Sequence, residues 1–346
     1  MIHLPEVIES EEQLDALLSE PTDAVVGALA GLDGDLLILG VGGKMGPTLA
    51  RLARRAVERG TLHKRVIGVS RFSSAALEQQ LREWGIETIA CDLLAEGALD
   101  TLPDAANVIF MAGRKFGTSG AEALTWATNT YLPALVAQRY RRSRLVVLSS
   151  GNVYPLVPVT SGGAGERQAP GPIGEYAQAC LGRERLFEYF SNRYDTPVAI
   201  IRLNYAIDLR YGVLLDIATR VWQGEAIDVT MGNVNVIWQG DANRIIVQSL
   251  GHCATPPHVI NVTGPETISV RQVAHRFAEL LDRPAPSFSG EEASSALLSN
   301  AQHACDLFGY PSVSLERMLR WVARWVMQGG MVLGKPTHFD VRDGGF

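Results

Sequence analysis

Short, continuously apolar runs alternate along much of this chain with longer stretches whose apolar residues recur three or four positions apart. The runs are Leu36 to Leu39, Arg65 to Ser70, Ile86 to Ala90, Asn107 to Met111, Arg144 to Ser149 and Val198 to Leu203. Runs this short, without polar alternation, predict strands covered on both faces, as in a parallel sheet. After the first run, Leu49, Leu52, Ala53, Ala56 and Val57 share one helical face, and Leu77, Leu81 and Trp84 share another. Longer helices are expected from Ser119 to about Tyr140 and from Glu175 to Tyr194. This alternation predicts an α/β fold with a doubly wound, mostly parallel sheet.

The flanks read differently. Ser10 followed by Gln13 is an N-cap signature, and Leu14, Leu17 and Leu18 give the next residues one apolar face. Pro21 stops that helix, and a second is expected from Asp23 to Leu32. Residues 1–34 are therefore expected to be a helical extension, a lid or a subunit contact, in front of a sheet domain at 35–205. Beyond Asn204 a helix is expected from Leu214 to Trp222 and another from Ala242 to Leu250. Short strands are expected at Ile227 to Val229 and Val234 to Trp238. His258 to Val262 resembles a core strand, so 234–262 should return to the sheet. Amphipathic helices from Val270 to Leu281 and Leu315 to Met327 place 206–233 and 263–346 in a smaller C-terminal α/β region expected to hold substrate.

The first strand breaks into Gly40-Val-Gly-Gly-Lys-Met-Gly46 and then into a helix. Strand, glycine turn, helix is how a backbone brings a helix N-terminus up to a phosphate. The order Gly-x-Gly-x-x-Gly fails because its last position is Met45, whereas Gly-x-x-Gly-x-x-Gly fits at Gly40, Gly43 and Gly46. With its flanks, the turn predicts a dinucleotide site in a Rossmann-like domain, with Lys44 and Met45 inside the phosphate cradle. The residue ending the second strand selects the dinucleotide, since a carboxylate there binds ribose hydroxyls and an arginine accepts a 2′-phosphate. Ser70-Arg71 stands at that point, which favours NADP(H) and leaves NAD(H) open.

Composition narrows the class. The 346 residues are 47% hydrophobic, enough for a large core, and the net charge of -6 argues against a nucleic-acid binder. Four cysteines, Cys91, Cys180, Cys253 and Cys305, lie far apart, which fits reduced thiols in a cytoplasmic protein rather than disulfides or a metal site. No apolar run is long enough for a bilayer, so no membrane partner is expected.

Chemistry is expected past the fifth strand. Ser150 closes that strand, where ligands collect in open α/β sheets, and Tyr176 begins the following helix. Two such hydroxyls can meet one substrate carbonyl or alcohol, the tyrosine moving the proton and the serine steadying the oxygen. The ordered set of Gly40-x-x-Gly43-x-x-Gly46, Asp92-Leu93, Ala112-Gly113, Asn129, Ser149-Ser150-x-x-Val153-Tyr154, Tyr176 with Glu184, and Arg202-x-Asn204 resembles the extended branch of the short-chain dehydrogenase/reductase superfamily, the NAD-dependent epimerase/dehydratase group. Val259 to Val270 and Asp306 to Glu316 are also similar to that group. The resemblance implies that Asp92 and Leu93 flank the adenine and that Met111, Ala112 and Gly113 pass beside the cofactor. It adds Asn129 and Asn204 to the cofactor set and puts Ser150 and Tyr176 at the nicotinamide. Ser150, Asn152, Asn204 and Arg210 form the implied substrate set, Arg210 as a clamp for a carboxylate. A homodimer through the 119–140 and 175–194 helices is implied as well.

Three departures qualify this. The group's Tyr-x-x-x-Lys is Tyr176-x-x-x-Cys180 here, which removes a cation that lowers the tyrosine pKa. Lys115 is the favoured replacement, with Arg114 and Arg183 also within the expected pocket. Where nucleotide-sugar members carry a diphosphate-gripping arginine, Val234 stands, and Pro286 to Gln302 contains no arginine. Lys44 within the glycine turn is the third. The expectation is an oxidoreductase or redox-assisted epimerase/dehydratase acting on a small polyol, sugar acid or lactone. Two alternatives are a catalytically silent NADP(H) sensor or scaffold, and a nucleotide-sugar enzyme whose cleft gathers other basic residues.

Overall fold

A computed structural model describes residues 4–115 and 120–345. The segment that leads from Met111 toward the expected long helix is thus described as far as Lys115, and that helix's expected start at Ser119 lies outside the described residues. Seven parallel strands form the central sheet: β1 (Leu36–Leu39), β2 (Val66–Ser70), β3 (Glu87–Ala90), β4 (Asn107–Phe110), β5 (Arg144–Ser150), β6 (Val198–Leu203) and β7 (His258–Val262). Their order is β7-β6-β5-β4-β1-β2-β3. The direction of winding reverses on either side of β1, and the carboxyl ends of β1 and β4 flank the resulting crevice. In β1, Leu36 to Leu39 pair with Val66 to Val69 on one side and with Asn107 to Phe110 on the other, all four side chains being buried. The two edge strands depart from the continuous apolar pattern, β3 along its length and β7 at His258 and Asn261.

Two N-terminal helices, α1 (Glu11–Leu18) and α2 (Asp23–Ala30), precede the sheet. Ser10 caps α1 by accepting from the Gln13 amide at 3.2 Å, and the Gln13 side chain accepts from the Glu9 amide at 2.9 Å. The two helices form no unit of their own. Leu14, Leu17 and Leu18 enter the core of the C-terminal region, whereas Val25 and Leu29 pack with the sheet side. Each apolar face finds a different partner because the helices are too short to bury one another.

Around the sheet lie α3 (Gly46–Arg59), α4 (Ala75–Glu83), α5 (Glu122–Trp126), α6 (Leu132–Arg139) and α7 (Gly174–Tyr194). A π turn at Ala127–Tyr131 joins α5 to α6, so the expected long helix carries one extra residue in its middle. The C-terminal region contributes α8 (Val213–Gln223), α9 (Gln239–Gln248), α10 (Val270–Leu281), α11 (Gln302–Phe308) and α12 (Leu315–Met327). The single strand expected from Val234 to Trp238 divides. Asn233–Val234 pairs antiparallel with Ile268–Ser269, and Ile237–Trp238 pairs parallel with Ala206–Ile207. Asn235 causes the break: it is buried, accepts from Asn204 and the Ser299 amide, and donates to the Ser299 carbonyl. Among the described residues no helix is long and apolar enough to cross a membrane.

Candidate active site

The carboxyl ends of β1, β4, β5 and β6 open on one cavity of about 670 Å³. Its first wall is the glycine turn. Gly40 has φ +93°, and a Cβ there would lie 2.5 Å from the Ala112 amide nitrogen. A Cβ on Gly46 would lie 2.1 Å from the Val41 carbonyl oxygen, and one on Gly42 would lie 2.4 Å from Ser70 Oγ. These three glycines are explained by packing. Gly43 is not: a Cβ there would meet nothing closer than 3.5 Å, and the residue faces the cavity. Its bare backbone leaves room for close approach by a ligand at the start of α3, which has no side-chain cap.

Ser150 and Tyr176 line the same cavity. Ser150 and Cys180 both act on the Tyr176 hydroxyl. Ser150 Oγ accepts from the Asn152 amide at 3.2 Å and lies 2.8 Å from Asn152 Oδ1. Burial drives the Tyr176 phenol well above its ordinary value and Cys180 adds to the effect, against the pull of Arg183 and Ser150. Tyr176 is therefore protonated at neutral pH. The Cys180 thiol is likewise raised by burial, which makes it a poor nucleophile.

Tyr176, Cys180 and Arg183 fall on one face of α7. Arg183 is buried and donates to the Leu148 carbonyl at 2.5 Å and to Asn129 Oδ1 at 2.8 Å. Lys115 enters from the loop after β4 and acts electrostatically on Cys180, and burial lowers its ammonium to about 8. Lys44 lies 3.2 Å from the centroid of the Tyr211 ring. Burial, with repulsion from Lys115 and Lys335, lowers it to about 7.

Behind this wall lies a buried polar network. Arg202 forms a two-pronged pair with Glu184 at 3.0 and 2.7 Å, and Ser149 donates to the same carboxylate at 2.5 Å. Arg202 also donates to Tyr154, whose hydroxyl donates to Asn261 on β7. The network ties the ends of β5, β6 and β7 to α7 and so holds Ser150 opposite Tyr176.

Residues 36–208 match the NAD dependent epimerase/dehydratase family. The chain belongs to this family. Its fold is similar to UDP-glucose 4-epimerase from Thermotoga maritima, solved with UDP-glucose, at 17% identity and TM-score 0.69 over 85% of this chain and 99% of that one. It is also similar to dTDP-glucose 4,6-dehydratase from Bacillus anthracis, solved with NAD, at 14% identity and TM-score 0.71 over 86% and 97% of the two chains. UDP-glucuronic acid 4-epimerase from Bacillus cereus, in complex with UDP-glucuronic acid and NAD, matches at 18% identity and TM-score 0.68 over 85% and 99%. No curated protein matches the sequence.

Within this epimerase/dehydratase-family fold, the cavity gathers Gly43, Lys44, Met45, Met111, Gly113, Tyr176 and Asn204 of the expected cofactor set. It also gathers Lys115 and the whole expected substrate set, Ser150, Asn152, Asn204 and Arg210. Other expected positions lie elsewhere. Asn129 is fully buried: its Oδ1 accepts from the Arg114 amide at 2.9 Å and its Nδ2 donates to the Arg114 carbonyl at 2.8 Å. It fixes the loop that carries Lys115 and does not face the cavity. Leu93 joins the core beneath the sheet, Asp92 accepts from the Leu94 amide at 3.1 Å, and Arg71 is exposed past the end of β2. Ala112 covers Gly40, and Ser70 covers Gly42.

The carboxylate clamp expected of Arg210 is already filled from within the chain. Asp208 holds the guanidinium at 3.0 and 2.8 Å and Asp15 holds it at 2.9 Å, so its charge is neutralised before any substrate arrives. The epimerase/dehydratase family pattern gave no sign of Asp15, which comes from α1, nor of Lys335, which lines the cavity from the segment after α12. Composition did carry a signal for the latter. The chain has only four lysines among 31 basic residues, and three of them, Lys44, Lys115 and Lys335, line this cavity.

Proposed function

We propose that this chain is a nicotinamide-dinucleotide-dependent oxidoreductase or redox-assisted epimerase/dehydratase acting on a small carbohydrate-like substrate. The observation that carries this reading is the Ser150–Tyr176 hydroxyl pair facing Gly43 across one cavity. The open cradle at Gly43 fits a dinucleotide. Gly43, Lys44 and Met45 would hold its pyrophosphate, Met111 and Gly113 would lie along it, and Ser150 and Tyr176 would flank the nicotinamide. When bound, the nicotinamide takes up a hydride from a substrate carbon or returns one. Tyr176 gives its Oη proton to the substrate oxygen, and Ser150 holds that oxygen in place. Lys115 supplies positive charge on the Cys180 side of the phenol, in the role that the resemblance assigns to a lysine. Arg183 acting on Tyr176 and Lys115 acting on its neighbour Cys180 support this reading over a silent sensor.

Two glycine variants separate cradle from scaffold. Gly46→Ala should destabilise the fold by roughly 1–3 kcal/mol because its Cβ meets backbone. Gly43→Val should fold normally and weaken dinucleotide binding by about tenfold or more, because only the cavity side is filled. Denaturant unfolding and dinucleotide titration read the two effects apart.

Ser70-Arg71, without a carboxylate, supports NADP(H) over NAD(H) in this proposal. A thermal-shift comparison tests it, since a ligand at about 100 times its Kd adds about 2.7 kcal/mol to native stability. Arg71→Gln should reduce NADP(H) affinity by about tenfold and spare NAD(H). Equal responses to both dinucleotides in the native protein would remove the preference, and no response to either would remove the functional reading.

The homodimer is proposed through α5, α6 and α7. These helices and the π turn expose Leu124, Trp126, Tyr131 and Tyr189, with Tyr131 58% and Tyr189 53% accessible. Tyr131→Asp should convert a dimer to a monomer in light scattering, since a charge in an apolar interface is left without a partner. A nucleotide-sugar substrate is the second reading, favoured by the basic residues that converge on the cavity.

A further inference from the structure

Lysine is scarce in this chain, yet three of its four lysines line one cavity of a protein whose net charge is -6. They arrive from three separate places: Lys44 from the glycine turn, Lys115 from the loop after β4, and Lys335 from the segment after α12. The fourth, Lys64, donates to the Leu32 and Gly34 carbonyls on the far side of β1. Lys115 and Lys335 both repel Lys44, and the carboxylate that opposes them is Asp216. Arg210 on the same wall adds little positive charge, because Asp208 and Asp15 hold it. The cavity therefore carries more cations than anions, which suits a ligand that brings negative charge.

The position of Lys335 is built rather than incidental. From Gly329 onward the chain forms a strap pinned at successive points. The Leu333 amide donates to the Arg210 carbonyl at 2.9 Å. Thr337 donates to Asp216 through its amide at 2.8 Å and its hydroxyl at 2.5 Å. Phe339 is buried in the C-terminal core, Asp340 pairs with Arg220 at 3.1 Å, and Arg342 donates to the Ser295 carbonyl at 2.7 Å. Gly344 then packs on Gly174, at the start of the helix that carries Tyr176. Lys335 lies between the Leu333 and Thr337 anchors, exposed at the rim of the cavity.

We propose that Lys335 on this strap, facing Lys44 and Lys115, is a specificity-determining receptor for the anionic group, a carboxylate or a phosphate, of a small sugar substrate. This deepens the proposed function and rests on the cavity being a dinucleotide-and-sugar site. The strap brings the receptor into the same cavity as the phosphate cradle but on a separate segment of the chain, so one cavity can take two anions. Lys44, in the cradle, faces the dinucleotide, and Lys335 faces the substrate.

The test uses the full chain saturated with NADP+ or NAD+, whichever binds, titrated with D-glucuronate, D-glucose 6-phosphate, D-glucose and UDP-glucose. The two charged monosaccharides should bind about tenfold or more tighter than glucose, and Lys335→Gln should erase that difference. Lys335→Arg should keep it, and dinucleotide affinity should be the same in all three proteins. The tighter of glucuronate and glucose 6-phosphate tells carboxylate from phosphate. The proposal is overturned if Lys335→Gln binds the charged sugars as the native protein does, if glucose binds equally well, or if UDP-glucose alone binds and is indifferent to the substitution. If no dinucleotide binds, the underlying functional reading fails, and inorganic phosphate titrated into the dinucleotide-free protein then tests the receptor alone. Phosphate affinity lowered by Lys335→Gln supports the receptor; phosphate affinity that is unaltered overturns it.

Discussion

Replacing Tyr176 by Phe should lower kcat by about two to four orders of magnitude while leaving dinucleotide affinity unchanged. The substitution keeps the ring on α7 and removes only the oxygen that faces Ser150. Because burial holds the native phenol above its ordinary value, the proton is present at neutral pH and donation is its ready direction. The reverse direction needs the phenolate, so alcohol oxidation should keep rising with pH well past the neutral range. Lys115→Gln should push that rise to higher pH, because the cation proposed to favour the phenolate is gone. Steady-state kinetics in both directions, with a parallel dinucleotide titration, check these outcomes. Full turnover in the Phe variant would mean that another group moves the proton.

Arg202→Met should reduce stability by about 3–5 kcal/mol, the largest stability effect expected from one side chain here. The Arg202 and Glu184 side chains are 6% and 4% exposed, and they meet at 2.7 Å. Burial opposes the charge on Arg202, yet the Glu184 carboxylate and the Tyr154 hydroxyl hold it above its ordinary value. Removing the cation leaves the carboxylate buried with Ser149 as its remaining donor. Replacing both members, Arg202→Met with Glu184→Met, should recover most of the loss, because neither charge is then stranded. Urea unfolding of the three variants measures this, and a single-variant loss below about 1 kcal/mol would place the pair among those that contribute little.

The sheet was legible because its strands are buried on both faces, and a continuous apolar run has few other readings. Leu36 to Leu39 and Val198 to Ile201 needed no tertiary information. The strand expected at Val234 to Trp238 failed because the buried amide of Asn235 takes partners 31 and 64 residues away. The candidate cavity was legible at Gly43, Ser150 and Tyr176, which chain order alone places at strand ends and helix starts and which the structure brings to one cavity. Roles were misread where a polar side chain works on neighbours distant in sequence. Asn129 looks like a ligand contact but holds a loop 15 residues upstream. Arg210 looks like a receptor until α1 folds against it and contributes Asp15. Lys335 could not be placed from pattern at all, since the strap around it has no periodicity and takes its path from separate anchors.

The division of the N-terminal helices between two cores has a consequence for synthesis. Leu14, Leu17 and Leu18 share their core with Trp321, Trp325 and Phe339, and Arg317 donates to the Leu4 carbonyl 313 positions earlier. A ribosome makes α1 long before it makes α12, whereas the strands from β1 to β6 can assemble from what has already emerged. The core that takes the apolar face of α1 is complete only when Trp321, Trp325 and Phe339 have been made. The strands of the sheet lie close together in sequence, whereas the C-terminal core is completed by joining segments as far as 313 residues apart.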